Sequence, residues 1–539
     1  MNQDLLNTLA VDNGAPDGPS TGYYADDVPF RSGIVQQQAP LHMAVVAALN
    51  GYNPPRPTGA FRYCDLGCGD GTTLNAYAAI YPDAEFVGID FNAGHIAQAR
   101  SLAEAAGLDN VRFIQGSFAE LDDGDLPVFD FIGMNGIYSW LARDLMASVH
   151  RLVDRHLAPN GLFYVEYMTM PGMIAVVPVW QLVQALVPLD GRGSHDRATR
   201  GLRLLEELSK SGMGYLDRHP TAQAATNGYV ANWRDNPGRV DHFAHNALAS
   251  GFRPRYVTEM CEEMAAAGLV FGGRAQLALN DPDLAVTLQQ ATLLRGVEDR
   301  PTRELLLDFM RNERNRRDVY VRAAAHDPDG ALGFLLDEVR FLGRSPADRI
   351  ARKLELPGPR TASLDGGVYD ALVAAFDGRA SPARAGDPDG DIRAETLATA
   401  LHRLHTTGQY FLCEPGSAID GWPEAPERLA FAVTFNAQRL SAAVEALTGA
   451  SFVARAVGGT VMTLGPIEAV VLQAWVSAGR AAAIETALAT LATLKGRVQI
   501  DGEAVPVARL TRAQLEPVLA RLVNIRVPNL LRTGVLVAG

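Results

Sequence analysis

Between Arg62 and Met168 the chain alternates short apolar runs with helical stretches of roughly ten to fifteen residues, a rhythm that only a few folds accommodate. FRYCDL, EFVGID, VRFIQ, VFDFIGM and GLFYVEYM read as strands; Thr72–Ile80, Gly94–Ala106 and Ala142–Leu157 read as the helices between them. Such βαβ units cross over right-handed and build a parallel sheet covered on both faces, so the expected class is α/β and Rossmann-like. Residues 59–168 form this core, and 1–58 precede it as a lid or helical segment with a helix from Ala39 to Leu49. Residues 169–254 look helical, with Gly and Pro punctuation. A helix over Thr258–Ala267 then runs into the strand-like LVFGGRAQLAL, so the sheet is expected to resume within 255–280. On this reading 169–254 is an insertion over the carboxyl ends of the strands, where open α/β sheets bind ligands. The alternative ends the sheet at Met168 and makes the rest a separate helical domain. Residues 281–360 read as helical, including an amphipathic stretch Glu304–Arg322 whose five Arg residues from Arg311 onward suggest a solvated face or a site for an anionic partner. Linkers at LPGPR and SPARAGDPDGD bound a winged-helix-like segment, 361–415, and 416–539 reads as a mixed α/β domain.

The strongest local signal is DLGCGDG, Asp65–Gly71, placed directly after a strand and before a helix. Gly67, Gly69 and Gly71 allow a tight turn and close approach of a ligand to the backbone. Asp65 narrows the ligand further. A carboxylate inside the turn repels a pyrophosphate and attracts an ammonium, such as the one on S-adenosylmethionine (SAM). The next strand ends in Asp90, with Phe91 beside it, where a carboxylate can accept two ribose hydroxyls. The third strand ends at Ser117 and Phe118, which can flank an adenine. A nicotinamide dinucleotide site is the competing reading, but its G-x-G-x-x-G spacing is missing.

The fourth strand ends in MNGIYSW. Asn135 and Tyr138 are candidates to accept hydrogens from a target amine and to steady a cationic transition state, with Tyr138 and Trp140 as core aromatics the plainer alternative. Glu166, at the end of the fifth strand, is the candidate base, or else a surface acid. A net charge of −13 argues against a nucleic-acid partner. Cys64 and Cys68 lack a second pair, and His242 and His245 lack a carboxylate at ligand spacing, so no metal is expected. No signal peptide or clean membrane span is visible, so a soluble, cytoplasmic chain is expected.

Over Tyr63–Met168 these motifs, in this order, resemble the class I SAM-dependent methyltransferases. Along nearly its whole length the chain is similar to a narrower bacterial group that carries a methyltransferase regulatory domain, among them the protein-lysine methyltransferases of rickettsial outer membrane protein B. The likeness runs through YYADDVPF, DLGCGDG, NGIYSW, YVEYMTMPGM, HFAHNALASGFRPRY, DFMRNERNRRDVYVR and FVARAVGGTVMTL. It implies a class I methyltransferase core with a helical insertion and C-terminal helical, winged-helix-like and α/β accessory domains. SAM is the implied cofactor, lysine side chains of a surface protein the implied acceptor, and a homodimer a possible assembly. Tyr24 and Gln37 become lid residues near the cofactor through this resemblance alone. Three places depart from the pattern: Ser117 stands where an acid is usual, Asn135 where the group usually has His, and QQQAP (36–40) where it has a more polar stretch containing His and Pro. Methylation of a small metabolite or glycan component, and a non-catalytic SAM sensor, are the competing functions.

Overall fold

The computed structural model describes residues 27–28 and 33–539, apart from 122–125, 189–192, 232, 235–236, 250, 323–325 and 501–502. Its centre is a seven-stranded sheet. The first five strands are β1 (Arg62–Leu66), β2 (Glu85–Asp90), β3 (Val111–Gln115), β4 (Phe129–Met134) and β5 (Leu157–Met168). They lie in the order β3-β2-β1-β4-β5 and pair in parallel. Helices α1 (Pro40–Leu49), α2 (Thr72–Ile80), α3 (Ala93–Ala106) and α4 (Arg143–His156) belong to the same layer system. Alternation along β5 serves both faces: Leu162 and Tyr164 join the core beneath α1 and α2, whereas Phe163, Val165 and Tyr167 join the core beneath α4. The helix expected from Ala39 is present but not amphipathic. All but its last residue, from Pro40 to Ala48, are buried, because residues around Phe334–Leu336 cover the side that solvent would otherwise wet.

The sheet does resume after the insertion, in a different manner from the one expected. Helix α5 (Val257–Ala266) leads into β6 (Leu269–Arg274), but β6 does not touch β5. Between them runs β7 (Asn315–Arg322), antiparallel to both. The stretch read as one amphipathic helix is therefore two elements. Helix α6 spans Arg300–Arg311 and stops at Asn312, whose φ of 51° is left-handed, and β7 follows.

The five arginines accordingly do not share one face: Arg311 is exposed, Arg314, Arg317 and Arg322 are half-buried, and Arg316 is in the core. Arg316 is fully buried, and its guanidinium donates to Asp318, Asp308 and Glu304 at 2.9, 2.8 and 3.2 Å. Arg274 of β6 donates to Glu304 at 2.7 Å, and Tyr167 of β5 donates to Asp318 at 2.7 Å. Burial alone would push the Glu304 carboxyl up, but the charges of Arg274, Arg316 and Arg300 outweigh it and hold that carboxyl at about 2.

Helices between Val177 and Ala247 form their own core around Trp180, Leu202 and Phe243. Downstream, helices Gly367–Ala375 and Ala394–Thr406 precede the strand Tyr410–Cys413, which pairs with Arg340–Gly343. A last cluster centres on Trp475. Val461, which packs against the first core, donates its N–H to Gln36 Oε1 at 3.1 Å. No helix among the described residues is long and apolar enough to cross a membrane.

Candidate active site

The carboxyl ends of β1, β2, β3 and β4 open onto one cavity of about 470 Å³. Asp65, Gly67, Gly69, Asp90, Phe91, Ser117, Phe118 and Asn135 line it, together with Trp140 and with residues that sequence reasoning passed over, notably Gln38, Thr73, His95 and Ile137. The first glycine positions follow from sterics. Gly67 has φ +76°, and a Cβ there would meet Ile137 Cδ1 at 2.3 Å; a Cβ on Gly69 would meet no protein atom within 4 Å, leaving that backbone free for a ligand. Gly71 belongs elsewhere. It does not line the cavity, and a Cβ there would stand 2.6 Å from Ala99 and 2.9 Å from Phe113, so it permits α2 to pack closely on α3 and β3.

Asp90 holds the turn as well as facing the cavity. Its carboxylate accepts from the Gly69 and Asn92 N–H groups, each at 2.9 Å. Each carboxylate oxygen keeps a further lone pair for a hydroxyl. His95, on the first turn of α3, stands 3.7 Å from Asp90, which raises the imidazole's affinity for a proton. Asp65 is only 4% exposed. Burial, and then the Asp90 charge, raise its carboxyl to about 7, against which a hydrogen bond from Gln38 works. Gln38 Oε1 is itself buried without a partner. Two carboxylates in one mostly apolar cavity, one of them held near neutrality, fit a ligand that carries both a positive charge and hydroxyls. The SAM ammonium and ribose have that chemistry, and the residues present would hold them there.

The acceptor-side candidates divide. Asn135 lines the cavity, and its Oδ1 accepts from the Tyr164 hydroxyl at 3.0 Å. Tyr138 does not line it. The chain after Asn135 closes into a 3₁₀ turn, Tyr138–Trp140, which turns Trp140 to the cavity and Tyr138 into the core. There the Tyr138 hydroxyl donates to Glu263 Oε2 at 2.6 Å and meets His150 Nε2 at 2.8 Å, while the Arg255 guanidinium lies over its ring and pairs with Glu263. Burial, before the Glu263 charge, pushes its hydroxyl far above the ordinary phenol range.

Glu166 is not a surface acid and does not line the cavity either. It is buried, accepts from Asn315 Nδ2 at 2.9 Å and from Arg317 Nε at 3.1 Å, and Arg317 is its register partner on β7. Both partners come from β7, a strand that the sequence reading did not foresee. Gln37 also falls outside the cavity lining; its neighbour Gln38 takes that place, since the turn Gln36–Gln38 directs only one of its side chains inward. Tyr24 lies outside the described residues. Among the described residues, no cluster of three His, Cys, Asp or Glu side chains has the arrangement to hold a metal ion.

Trp140 ties the cavity to the insertion. Its Nε1 donates to the Asn246 carbonyl at 3.2 Å, and its ring packs 5.5 Å from Phe252, which in turn packs 4.7 Å from Trp180.

Comparison with known proteins agrees with this geometry. Residues 58–189 match a model described as a methyltransferase domain, and residues 240–322 one described as a predicted methyltransferase regulatory domain. An uncharacterized protein of Synechocystis is 33% identical over 347 residues, which take in 62% of this chain and 65% of the relative, just short of two thirds of its length. A trans-aconitate 2-methyltransferase of Methylobacterium nodulans is 34% identical over 105 residues, 20% of this chain and 37% of its own. Among solved structures, PKMT2 from Rickettsia typhi in complex with AdoHcy superposes with a TM-score of 0.64 at 17% identity, covering 95% of this chain and all of that one. The fold is thus shared along nearly the full length. Together with that shared fold, the domain matches identify residues 58–189 as a methyltransferase domain with S-adenosylmethionine as cofactor, followed by a predicted methyltransferase regulatory domain at 240–322.

Proposed function

We propose that the chain transfers the methyl group of SAM to the side-chain amine of lysine in a protein. The observation that carries the reading is the convergence of Asp65, Asp90 and Asn135 on one cavity that no Arg or Lys lines among the described residues. SAM bound there supplies an electrophilic methyl group. The residues of the chain have three tasks. Asp90 accepts the ribose hydroxyls while its other hydrogen bonds keep the glycine turn closed. Asp65, ionised on binding, faces the ammonium. Asn135 and the backbone around Gly136 orient the acceptor nitrogen.

Neither Tyr138 nor Glu166 supplies a base, and none is required. A lysine amine has an ordinary pKa of about 10.4, and desolvation in a mostly apolar cavity lowers it, which favours the free lone pair. A second reading is methylation of a small carboxylate, which the trans-aconitate 2-methyltransferase similarity supports over a fifth of the chain. A carboxylate acceptor entering beside Asp65 and Asp90 calls for a guanidinium to offset the repulsion, and the cavity's charge pattern favours an amine instead.

Incubation with SAM labelled on the methyl group and a bacterial lysate tests both readings. Label retained on protein bands and mapped to lysine by mass spectrometry is the expected outcome. Label confined to small molecules supports the second reading, and no turnover despite SAM binding supports a sensor.

A further inference from the structure

A second cleft, of about 480 Å³, opens where the segment after strand Arg340–Gly343 meets the loop at Trp422 and the helical residues 523–529. Its charge runs against that of the molecule. In a chain of net charge −13, Arg344, Arg349 and Arg480 line it against a single carboxylate, Glu424. Two further arginines stand behind. Arg526 is near enough to Arg344 to repel it, and Arg532 lies 3.6 Å over the Trp422 ring.

Some of this charge is answered locally. Arg480 pairs with Glu427 at 3.6 Å, and Arg526 with Glu468 at 3.3 Å. Arg344 is not answered. It is half-buried, its guanidinium lies 4.3 Å over Phe411, and its Nε is buried without a hydrogen-bond partner. Arg349 is exposed on the cleft wall, and no acid pairs with it among the described residues. A ring below a guanidinium covers its face and leaves the edge, with its forked N–H groups, for a planar acceptor such as a carboxylate. Burial and the Arg526 charge both disfavour the charged form of Arg344, so the cleft bears an electrostatic cost that an anionic ligand removes.

Between these charges the wall mixes apolar surface from Pro346, Trp422 and Ile525, the last 48% exposed, with the polar side chains of Ser345, Asn524 and Asn529. Arg and Trp together on a concave surface are the composition of protein-recognition hot spots. A free phosphate needs only the charge, whereas charge alternating with apolar wall suits a polypeptide bearing carboxylates between apolar side chains. We propose that this cleft binds an acidic segment of a protein, with carboxylates paired edge-on to Arg344 and Arg349 and intervening apolar side chains against Trp422 and Ile525. That the segment belongs to the methyl acceptor rests on the protein-acceptor reading above; the binding itself does not.

The test uses the full chain without SAM and a fluorescein-labelled ten-residue peptide of alternating Glu and Leu, followed by anisotropy. Saturable binding that weakens with salt is expected, with Arg349→Glu, an exposed position, weakening it roughly tenfold and Arg344→Gln by a similar factor. Equal binding of a Lys–Leu peptide, no effect of Arg349→Glu, or full displacement by pyrophosphate at the peptide's own concentration overturns the proposal. The acceptor role is read separately, from labelled-SAM turnover on lysate proteins: a raised KM with unchanged kcat in Arg349→Glu supports it. Unchanged KM in that variant removes the acceptor role and leaves the binding result standing. Absence of any protein label defeats the lysine reading without touching the anisotropy result.

Discussion

At the scale of single residues, Asp65 and Asp90 make the sharpest statements. Asp90→Ala removes a ribose acceptor and releases the Gly69 N–H, and is expected to weaken SAM binding by about 1–3 kcal/mol. Calorimetry reads this directly, and unchanged affinity shows that the ribose lies elsewhere. Asp65 has a consequence in pH. Its carboxyl titrates at about 7 in the folded chain against an ordinary 3.8, so the folded state holds a proton that the unfolded state has lost. The stability of the ligand-free protein therefore falls as pH rises from the ordinary value through 7. SAM binding has the opposite sign, because the ammonium prefers the ionised carboxylate. Affinity is expected to rise from pH 6 to 8 in the wild type and to lose that slope in Asp65→Asn, measured by titration calorimetry in buffers of different ionisation heat.

Between elements, the informative pairings are those that fasten residues 240–322 to the core. Tyr138, on the turn beside the cavity, is held by Glu263 and Arg255 of the α5 region. Tyr138→Phe removes one hydrogen bond from the half-buried Glu263 carboxylate and is expected to cost about 1 kcal/mol in urea unfolding. SAM affinity and turnover should move together, if at all, through the position of Trp140; a fall in kcat alone, with stability unchanged, returns Tyr138 to a catalytic role. The cluster under β7 is less tolerant. Arg316→Met leaves Asp308 and Asp318 buried without their shared partner, and a loss of about 3–5 kcal/mol is expected from denaturant unfolding.

On the scale of the whole molecule, the order β5-β7-β6 means that residues 58–189 do not make a complete sheet. A chain cut after residue 268 exposes the pairing edge of β5 from Leu162 to Met168, frees the face of α1 that residues near Phe334 cover, and removes the Arg317 partner of Glu166. Such an edge is an aggregation template. The truncated chain is expected to be insoluble, or monodisperse only in denaturant, by size-exclusion chromatography; a folded, SAM-binding fragment contradicts this. Contacts from the far end matter too, since Val461 holds the Gln36–Gln38 turn that brings Gln38 to Asp65.

What the sequence determined by itself is local and periodic. Strand–helix alternation, glycines at a strand-to-helix turn and an acid at the end of the next strand each depend on neighbours a few residues away, and they yielded the parallel core and most of the cofactor cavity. The tertiary structure alone decided the rest. Whether Asn315–Arg322 extends or coils depends on an empty strand position beside β5, which no local pattern records. The same strand supplies Asn315 and Arg317, the partners that hold Glu166. Tyr138 and Trp140 are near neighbours with similar aromatic bodies, and only the 3₁₀ turn between them chose which one meets the cavity. Long-range pairing of this kind is written in the complementarity of surfaces distant along the chain, and it becomes visible only when they meet.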